Sequence, residues 1–439
     1  MTPAEAFAAL SDAAARDGAP DAATRREALL RLRAALIARA EEVARAAKAD
    51  FGGRSRIETL LADVLCVAEA AAHAARHVAR WMRPRRAAVP FAFWPARAAA
   101  VPRPKGVVGV IAPWNYPVQL ALWPALDALA AGNRVLVKPS EAAPRCAGLV
   151  AEILDAGPGP SLARAVLGGP DVSAALSALP LGHLLFTGGQ ATARKVAAAA
   201  AANLTPLTLE LGGKCPAFVL PGADLAQAAR QILVGKALNA GQTCVAPDTV
   251  LLVGHTADAF AAACRAAGPL ASETAIAPPN RARFASLLEG AQAEPLCDAK
   301  TPILLARAGD NAAIAREEIF GPALLLREAA SLDEALAAAA PDPLAAYVFG
   351  ATREERARIA ARLRTGALAE NRCIEHTAFP ALPFGGAGAS GTGRYHGEAG
   401  FLTFSDLRAE VRHGPRSLAR LFDPPRGGFA AALIGRLIR

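Results

Sequence analysis

Two textures of apolar spacing divide the chain. From residue 1 to about 80, alanine, leucine and arginine recur at helical spacing, as in RREALLRLRAALIARAEEVARAAKAD (25–50). Apolar positions three and four apart turn one helix face toward a larger body, so this region is expected to be helical scaffold. From residue 105 the texture changes to short apolar runs closed by glycine or proline: KGVVGVIAP, GNRVLVKPS, HLLFTGG and TPLTLELGG, with alanine-rich helical stretches between them. Such alternation predicts an α/β fold with a doubly wound parallel sheet. A second α/β pattern starts near 216 with PAFVL and runs through DTVLLV, TPILLA and LAAYVFG to about 402, with helices over Asp224 to Asn239 and in TREERARIAARLRTG.

A length of 439 residues exceeds one ordinary core, so two or three domains are expected. The composition, 53% hydrophobic and 20% charged, is that of a globular protein. The uncharged run 106–126, GVVGVIAPWNYPVQLALWPAL, is long enough to span a bilayer. Pro113, Pro117 and Pro124 make it a poor spanning helix; a buried strand, a functional loop and a helix start fit better. The acidic, interrupted start MTPAEAFAALSDAAARDG does not read as a signal peptide.

Seven scattered cysteines without a CxxC pair suit a reducing cytoplasm, and no metal site is expected. The net charge of +9 is spread over helices rather than gathered in a stripe, and three tyrosines with four tryptophans give few stacking platforms, so no nucleic-acid partner is expected. The C-terminal FAAALIGRLI is read as a packing helix rather than a membrane-surface one.

Several stretches carry chemistry. In NAGQTCVAPD (239–248), Cys244 follows Gly241, Gln242 and Thr243, with little local bulk to shield it. A thiol attacks only as thiolate, so a nucleophilic role there needs help from its surroundings. LTLELGGK places Glu210 at a strand end beside two glycines, where a carboxylate can act as a base or stand in solvent. IAPWNYP holds Asn115 in a proline-bracketed turn; its amide can donate to an oxyanion or simply form the turn. HLLFTGGQATARK reads strand, glycine turn, helix, with Gly188 and Gly189 offering free N–H groups to a diphosphate, although it lacks GxGxxG. VLVKPSE sets Lys138 and Glu141 past a strand end, within reach of ribose hydroxyls or of each other.

As a set, these stretches resemble the aldehyde dehydrogenase superfamily, through PWNYP (113–117), KPSE (138–141), FTGG (186–189), LELGGK (209–214), GQTC (241–244), EEIFGP (317–322) and PFGGAGASGTG (383–393), in the family's order. Within it the chain is similar to coniferyl aldehyde dehydrogenases and their class 3 fatty-aldehyde relatives, through WNYPVQLAL, NLTPLTLELGGK, GQTCVAPD, NRCIEH and RYHGEAGFLTFS. The resemblance implies a Rossmann-type NAD(P)-binding domain (1–84 and 105–215), an α/β catalytic domain (216–402), and bridging or oligomerisation segments (85–104 and 403–439).

It also implies roles. Cys244 would be the nucleophile that passes through a thioester, Glu210 the base for the hydrolytic water, and Asn115 the oxyanion donor. Lys138 and Glu141 would meet the adenosine ribose, Trp114 and the Gly188–Gly189 turn the diphosphate, and Glu318 the nicotinamide ribose. Phe320 would pack near the nicotinamide, and Leu211 belongs to the same cofactor set. NAD is the expected cofactor, because Glu141 would repel a 2′-phosphate, with NADP left open by Lys138. The substrate would be an aromatic or hydrophobic aldehyde, coniferyl aldehyde foremost. Fatty aldehydes, CoA-dependent acylation and a non-catalytic scaffold are the rival readings. Asn371 and His376 border the substrate entrance or tether a loop, and a homodimer, with a tetramer as the alternative, is implied. Three departures stand out: FTGG for the family's FTGS, Cys215 where serine is usual, read as structural, and a shortened stretch from 255 to 310.

Overall fold

A computed structural model describes residues 1–268, 270–414, 420, 423–425 and 427–438. Parts of the expected C-terminal bridging segment, 415–419, 421, 422, 426 and 439, lie outside the described residues. Three sheets organise the chain. The first has the order Gly391–Thr392, Leu207–Leu211, His183–Gly188, Val107–Ile111, Arg134–Lys138, Ala163–Ala165, all parallel except the two-residue edge strand. Its first strand in sequence, Val107–Ile111, therefore lies in the middle, and the chain winds outward on one side before returning to the other. That reversal opens a crevice beyond the carboxyl ends of Val107–Ile111 and His183–Gly188, the usual place for a ligand in a doubly wound sheet. The expected α/β doubly wound fold is what the chain adopts.

Val107–Ile111 and its neighbour Arg134–Lys138 are buried along their whole length, which explains their near-continuous runs of valine, isoleucine and leucine. The amino-terminal helices Ala22–Ala38 and Cys66–Trp81 pack on Gln119–Ala131, sharing a core with Leu29, Leu32, Val67, Val78, Trp123 and Val135. Gln119–Ala131 carries Pro124 in its interior and buries nearly every side chain. The uncharged run 106–126 is thus a strand, a loop and a helix start, and among the described residues no helix is long and apolar enough to cross a membrane.

The second sheet has seven strands in the order Gln292–Pro295, Leu304–Arg307, Ala323–Ala329, Pro247–Val253, Cys215–Val219, Ala345–Phe349, Ala367–Glu370, with only the first antiparallel to its neighbour. The expected helix from Asp224 forms over Leu225–Ala237, capped by the Asp224 side chain on the N–H groups of Ala226 and Gln227. The third sheet joins Arg85–Ala87, Arg97–Pro104 and Ser405–Arg412, all antiparallel. Its outer strand Ser405–Arg412 is exposed beyond Ser405, with Leu407 and Val411 in solvent.

Candidate functional site

Cys244 sits just past a backbone turn that only a special sequence tolerates. Asn239, Ala240 and Gly241 have φ of 52°, 53° and 67°, three left-handed residues in succession. At Gly241 a Cβ would fall 2.3 Å from the Gly321 carbonyl oxygen and 2.8 Å from the Lys236 side chain, so no other residue fits. The strain is held by side chains: Gln242 Nε2 donates to the Asn239 carbonyl at 2.9 Å, and Gln242 Oε1 accepts from the Ala277 N–H at 2.8 Å. This turn delivers Cys244, half-buried and free, toward the crevice.

Asn115 reaches the same place from the first sheet. It is buried, and its Nδ2 donates to the Gln242 carbonyl at 3.0 Å, which leaves its second N–H uncommitted to that bond. Tyr116 pins the two loops together through a 2.7 Å hydroxyl contact with Thr243. Behind them Arg54 donates to the Asn115 carbonyl at 2.8 Å and to Asp63 at 2.9 Å, while Asn239 Nδ2 donates to the same carbonyl at 2.9 Å. Asp63, in a π-helical turn over Leu60–Leu65, also accepts the N–H groups of Val118 and Gln119 and so caps the following helix. The Arg54 guanidinium lies over the rings of Phe51 and Tyr116. Sequence reasoning missed Arg54 and Asp63, because both lie in stretches that read as plain helical scaffold.

Glu210 lies on Leu207–Leu211, level with Thr187 on one side and Gly391 on the other. It is buried, neither carboxylate oxygen has a partner, and burial pushes its pKa well above the usual range, with Arg394 pulling weakly the other way. The Cys244 thiol is likewise pushed up, first by burial and then by the negative charges of Glu318 and Glu210, against the N–H groups of Cys244 and Val245 that point at it. Both carboxylates therefore lie within electrostatic reach of the sulfur. Asn115, Glu210 and Glu318 thus all bear on the Cys244 segment.

Glu318 is carried by a loop that a buried ion pair clamps. Lys214 pairs with Asp248 and also donates to the carbonyls of Ile314 at 2.8 Å and Glu317 at 2.9 Å, while Asp248 accepts the Ile319 N–H at 2.7 Å. Arg283 and Asn280 hold the carbonyls of Glu318 and Phe320 at 2.8 Å and 2.7 Å. The Glu318 carboxyl is pushed up to about 8 by burial and by Asp248, and its Oε1 is buried without a partner. It rests over Gly212, where a Cβ would fall 2.0 Å from Glu318 Oε2. Phe320, at φ 45°, turns its ring edge-on to Trp114 with centroids 5.7 Å apart.

At the other side of the crevice, helix Gln190–Ala201 begins at Gly189 with no side-chain cap, so its first N–H groups and positive end stand free. Space around Gly189 is open, and the register sets Gly188 level with Leu211 on the adjacent strand. Lys138 is buried at the end of its strand and pairs with the half-exposed Glu141. An open helix end, an unpartnered buried carboxylate oxygen at Glu318 and the Lys138–Glu141 pair fit the diphosphate and hydroxyls of a dinucleotide.

Asn371 is exposed at φ 60°. His376 is half-buried with neither ring nitrogen partnered; burial pushes its pKa down to about 4, and its ring lies near-parallel to Phe384 with centroids 6.5 Å apart. Phe384 in turn faces His396, which stacks on Trp123 at 3.7 Å. This run of aromatic rings was not anticipated, since its members lie far apart in sequence. Cys215, fully buried, donates its S–H to the Cys244 carbonyl at 3.3 Å. His73 and His77, one helical turn apart with ring centroids at 4.2 Å, form a pair that the sequence reading passed over. Among the described residues no group of three or more His, Cys, Asp or Glu side chains is gathered to hold a metal.

Residues 2–409 match the model of the aldehyde dehydrogenase family. The chain is 40% identical over 439 residues to a Pseudomonas aeruginosa protein named "Probable coniferyl aldehyde dehydrogenase", with 95% of this chain and 92% of that one covered. It is 39% identical over 410 residues to the coniferyl aldehyde dehydrogenase of a Pseudomonas species, covering 87% and 85%. The solved structure of Staphylococcus aureus AldH in a substrate-bound state superposes with a TM-score of 0.92 at 30% identity, covering 99% of both chains. Matched along nearly all its length in both sequence and fold, the chain belongs to the aldehyde dehydrogenase family and is an NAD(P)-dependent oxidoreductase.

Proposed function

We propose that this enzyme oxidises an aromatic aldehyde, coniferyl aldehyde foremost, to its carboxylic acid with NAD. What supports the reading is that Asn115 Nδ2 donates to the Gln242 carbonyl, two residues before Cys244, while the charge of Glu210 reaches the Cys244 thiol. Cys244 sulfur attacks the aldehyde carbon, and the oxyanion that forms is held by the free Asn115 N–H and the Cys244 backbone N–H. When bound, the nicotinamide supplies the acceptor for the hydride that leaves this adduct. Glu210 takes a proton from water, which cleaves the remaining Cys244 thioester; the carboxyl's unpartnered oxygens leave it free to accept that proton.

Gly188, Gly189, Trp114 and Leu211 would hold the dinucleotide's diphosphate side, Lys138 and Glu141 its adenosine ribose, and Glu318 with Phe320 its nicotinamide end. Glu141 beside the adenosine ribose would repel a 2′-phosphate, which favours NAD over NADP. The half-buried, near-parallel rings of His376 and Phe384, backed by the buried His396 and Trp123, would offer an aromatic surface to a cinnamyl ring, and the names of the two Pseudomonas relatives point the same way. In this reading residues 1–84 with 105–215 bind NAD(P), 216–402 carry catalysis, and 85–104 with 403–439 join two copies into a dimer. The open groove of about 1410 Å³ beside the three-stranded sheet, with Trp94 and Val411 exposed, supports such a contact. Seven free cysteines suit work in a reducing cytoplasm.

The test is a steady-state comparison of coniferyl, cinnamyl and long aliphatic aldehydes with NAD and with NADP. The largest kcat/KM is expected for coniferyl aldehyde with NAD. A clear preference for aliphatic chains would overturn the substrate, and turnover only with added CoA would overturn the hydrolytic route.

A further inference from the structure

A second thiol stands against the peptide of the proposed nucleophile. Cys215 opens strand Cys215–Val219, which pairs in parallel with Pro247–Val253, placing Cys215 opposite Pro247 with a register shift just after it. Cys244 lies three residues before Pro247, so the sheet brings the two cysteines together although 28 residues separate them in the chain. The contact is direct: Cys215 Sγ donates to the Cys244 carbonyl at 3.3 Å. The Cys244 sulfur bears on the Cys215 thiol, and both bear on their shared neighbour Tyr347, whose hydroxyl donates to the Val245 carbonyl at 2.5 Å.

The two thiols differ in access. Cys244 is half-buried, whereas Cys215 is fully shielded from solvent. A dissolved oxidant therefore meets Cys244 first. Held 3.3 Å from the Cys244 carbonyl oxygen, Cys215 Sγ sits against the nucleophile's own residue, the proximity a disulfide requires.

We propose that Cys215 is a resolving thiol that captures oxidised Cys244 as a Cys215–Cys244 disulfide, a reversible modification site that shields the nucleophile from irreversible oxidation. In the first step the Cys244 thiolate attacks a hydroperoxide. The O–O bond breaks, an alcohol or water leaves, and sulfur, two electrons poorer, becomes a sulfenic acid. In the second step Cys215 sulfur attacks Cys244 sulfur and the S–O bond breaks. The Cys215 proton leaves with the hydroxyl as water, so that two thiols and one hydroperoxide give one disulfide, one alcohol and one water. A thiol reductant restores both cysteines. Because the product is read by mass, the inference stands or falls separately from the choice of aldehyde.

The experiment treats the full-length enzyme with hydrogen peroxide, blocks free thiols, and maps the peptides by mass spectrometry before and after dithiothreitol. Wild type is expected to lose two hydrogens, to show a Cys215–Cys244 cross-linked peptide, and to regain its free thiols and turnover with reductant. Cys215→Ser, whose hydroxyl can still donate to the Cys244 carbonyl, is expected to fold and turn over normally but to accumulate sulfinic and sulfonic acid at Cys244 and fail to recover. Cys373→Ser, the third thiol near Tyr347, is expected to behave as wild type. Oxygen adducts on Cys244 of wild type without a disulfide, a cross-link from Cys244 to Cys373, or full recovery of Cys215→Ser would each overturn the proposal.

Discussion

Replacing Asn115 by alanine separates a rate effect from a stability effect, because the structure assigns them different sizes. The side chain makes a 3.0 Å bond from Nδ2 to the Gln242 carbonyl. Losing it costs about 1 kcal/mol, the net worth of an ordinary buried hydrogen bond, since Asn239 Nδ2 still donates to that carbonyl at 3.2 Å and no acceptor is orphaned. The backbone carbonyl of Asn115, which accepts from Arg54 and Asn239, is untouched by the substitution. The same truncation removes the N–H proposed to hold the oxyanion, and loss of one such donor costs about 2.7–4 kcal/mol of transition-state stabilisation, or roughly 100- to 1,000-fold in rate. Urea unfolding of Asn115→Ala should therefore show a small loss, while single-turnover formation of reduced cofactor slows by two to three orders of magnitude, on the order of the donor's contribution. A folded variant whose chemical step stays within about tenfold of wild type would refute the assignment of this amide.

Glu210→Gln should still form the thioester but not hydrolyse it. A single burst of reduced cofactor equal to the enzyme present is expected, with the acyl adduct seen on Cys244 by intact mass, and continuous turnover would contradict the role. Gly241→Ala must take φ 67° and bring its Cβ to 2.3 Å from the Gly321 oxygen. The left-handed conformation alone costs about 1–2 kcal/mol, so a lower urea midpoint by at least that amount should be measured, together with lost activity as Cys244 shifts. Burial raises the pKa of both Cys244 and Glu210, so their deprotonated, reactive forms increase with pH and kcat should climb from neutral into alkaline solution. For stability the sign is opposite: carboxyls raised in the folded state bind more protons than in the unfolded state, so this contribution is full below the unfolded value of 4.5. It is lost as pH rises through the folded value, about 8 for Glu318. Thermal melts of the cofactor-free enzyme across pH 5 to 9 (roughly the window these groups span) check that direction.

Much of the site was legible because its elements are local. A buried parallel strand needs an unbroken apolar run, and the chain must leave it through a turn, so VVGVIAPWNYP, LLFTGG and LTLELGG announced strand ends and the residues standing on them. Short or irregular strands carried no such signal: Gln292–Pro295 and Ala163–Ala165 are exposed or only three residues long, and Gly391–Thr392 is fixed by pairing with Leu207–Leu211 rather than by its own composition. The supports of the site were hidden for a related reason. Arg54 and Asp63 read as solvated helix charges, yet both side chains are fully buried, which only their mutual pairing and the waiting carbonyl and N–H groups of the Asn115–Gln119 segment permit.

Local sequence carried the alternation of strands and helices and the turns at their ends, because each depends on neighbours a few positions away, while the family resemblance singled out the thiol, carboxylate and amide. Tertiary structure decided which of those groups meet. The reversal of strand order brings the ends of Val107–Ile111 and His183–Gly188 together, the left-handed turn at 239–241 carries Cys244 toward Asn115, and the Lys214–Asp248 pair fixes Glu318 in place. Titration was decided there as well: Glu210 and Glu318 are ordinary carboxyls in the chain and become proton-retaining ones only when packing removes the water around them.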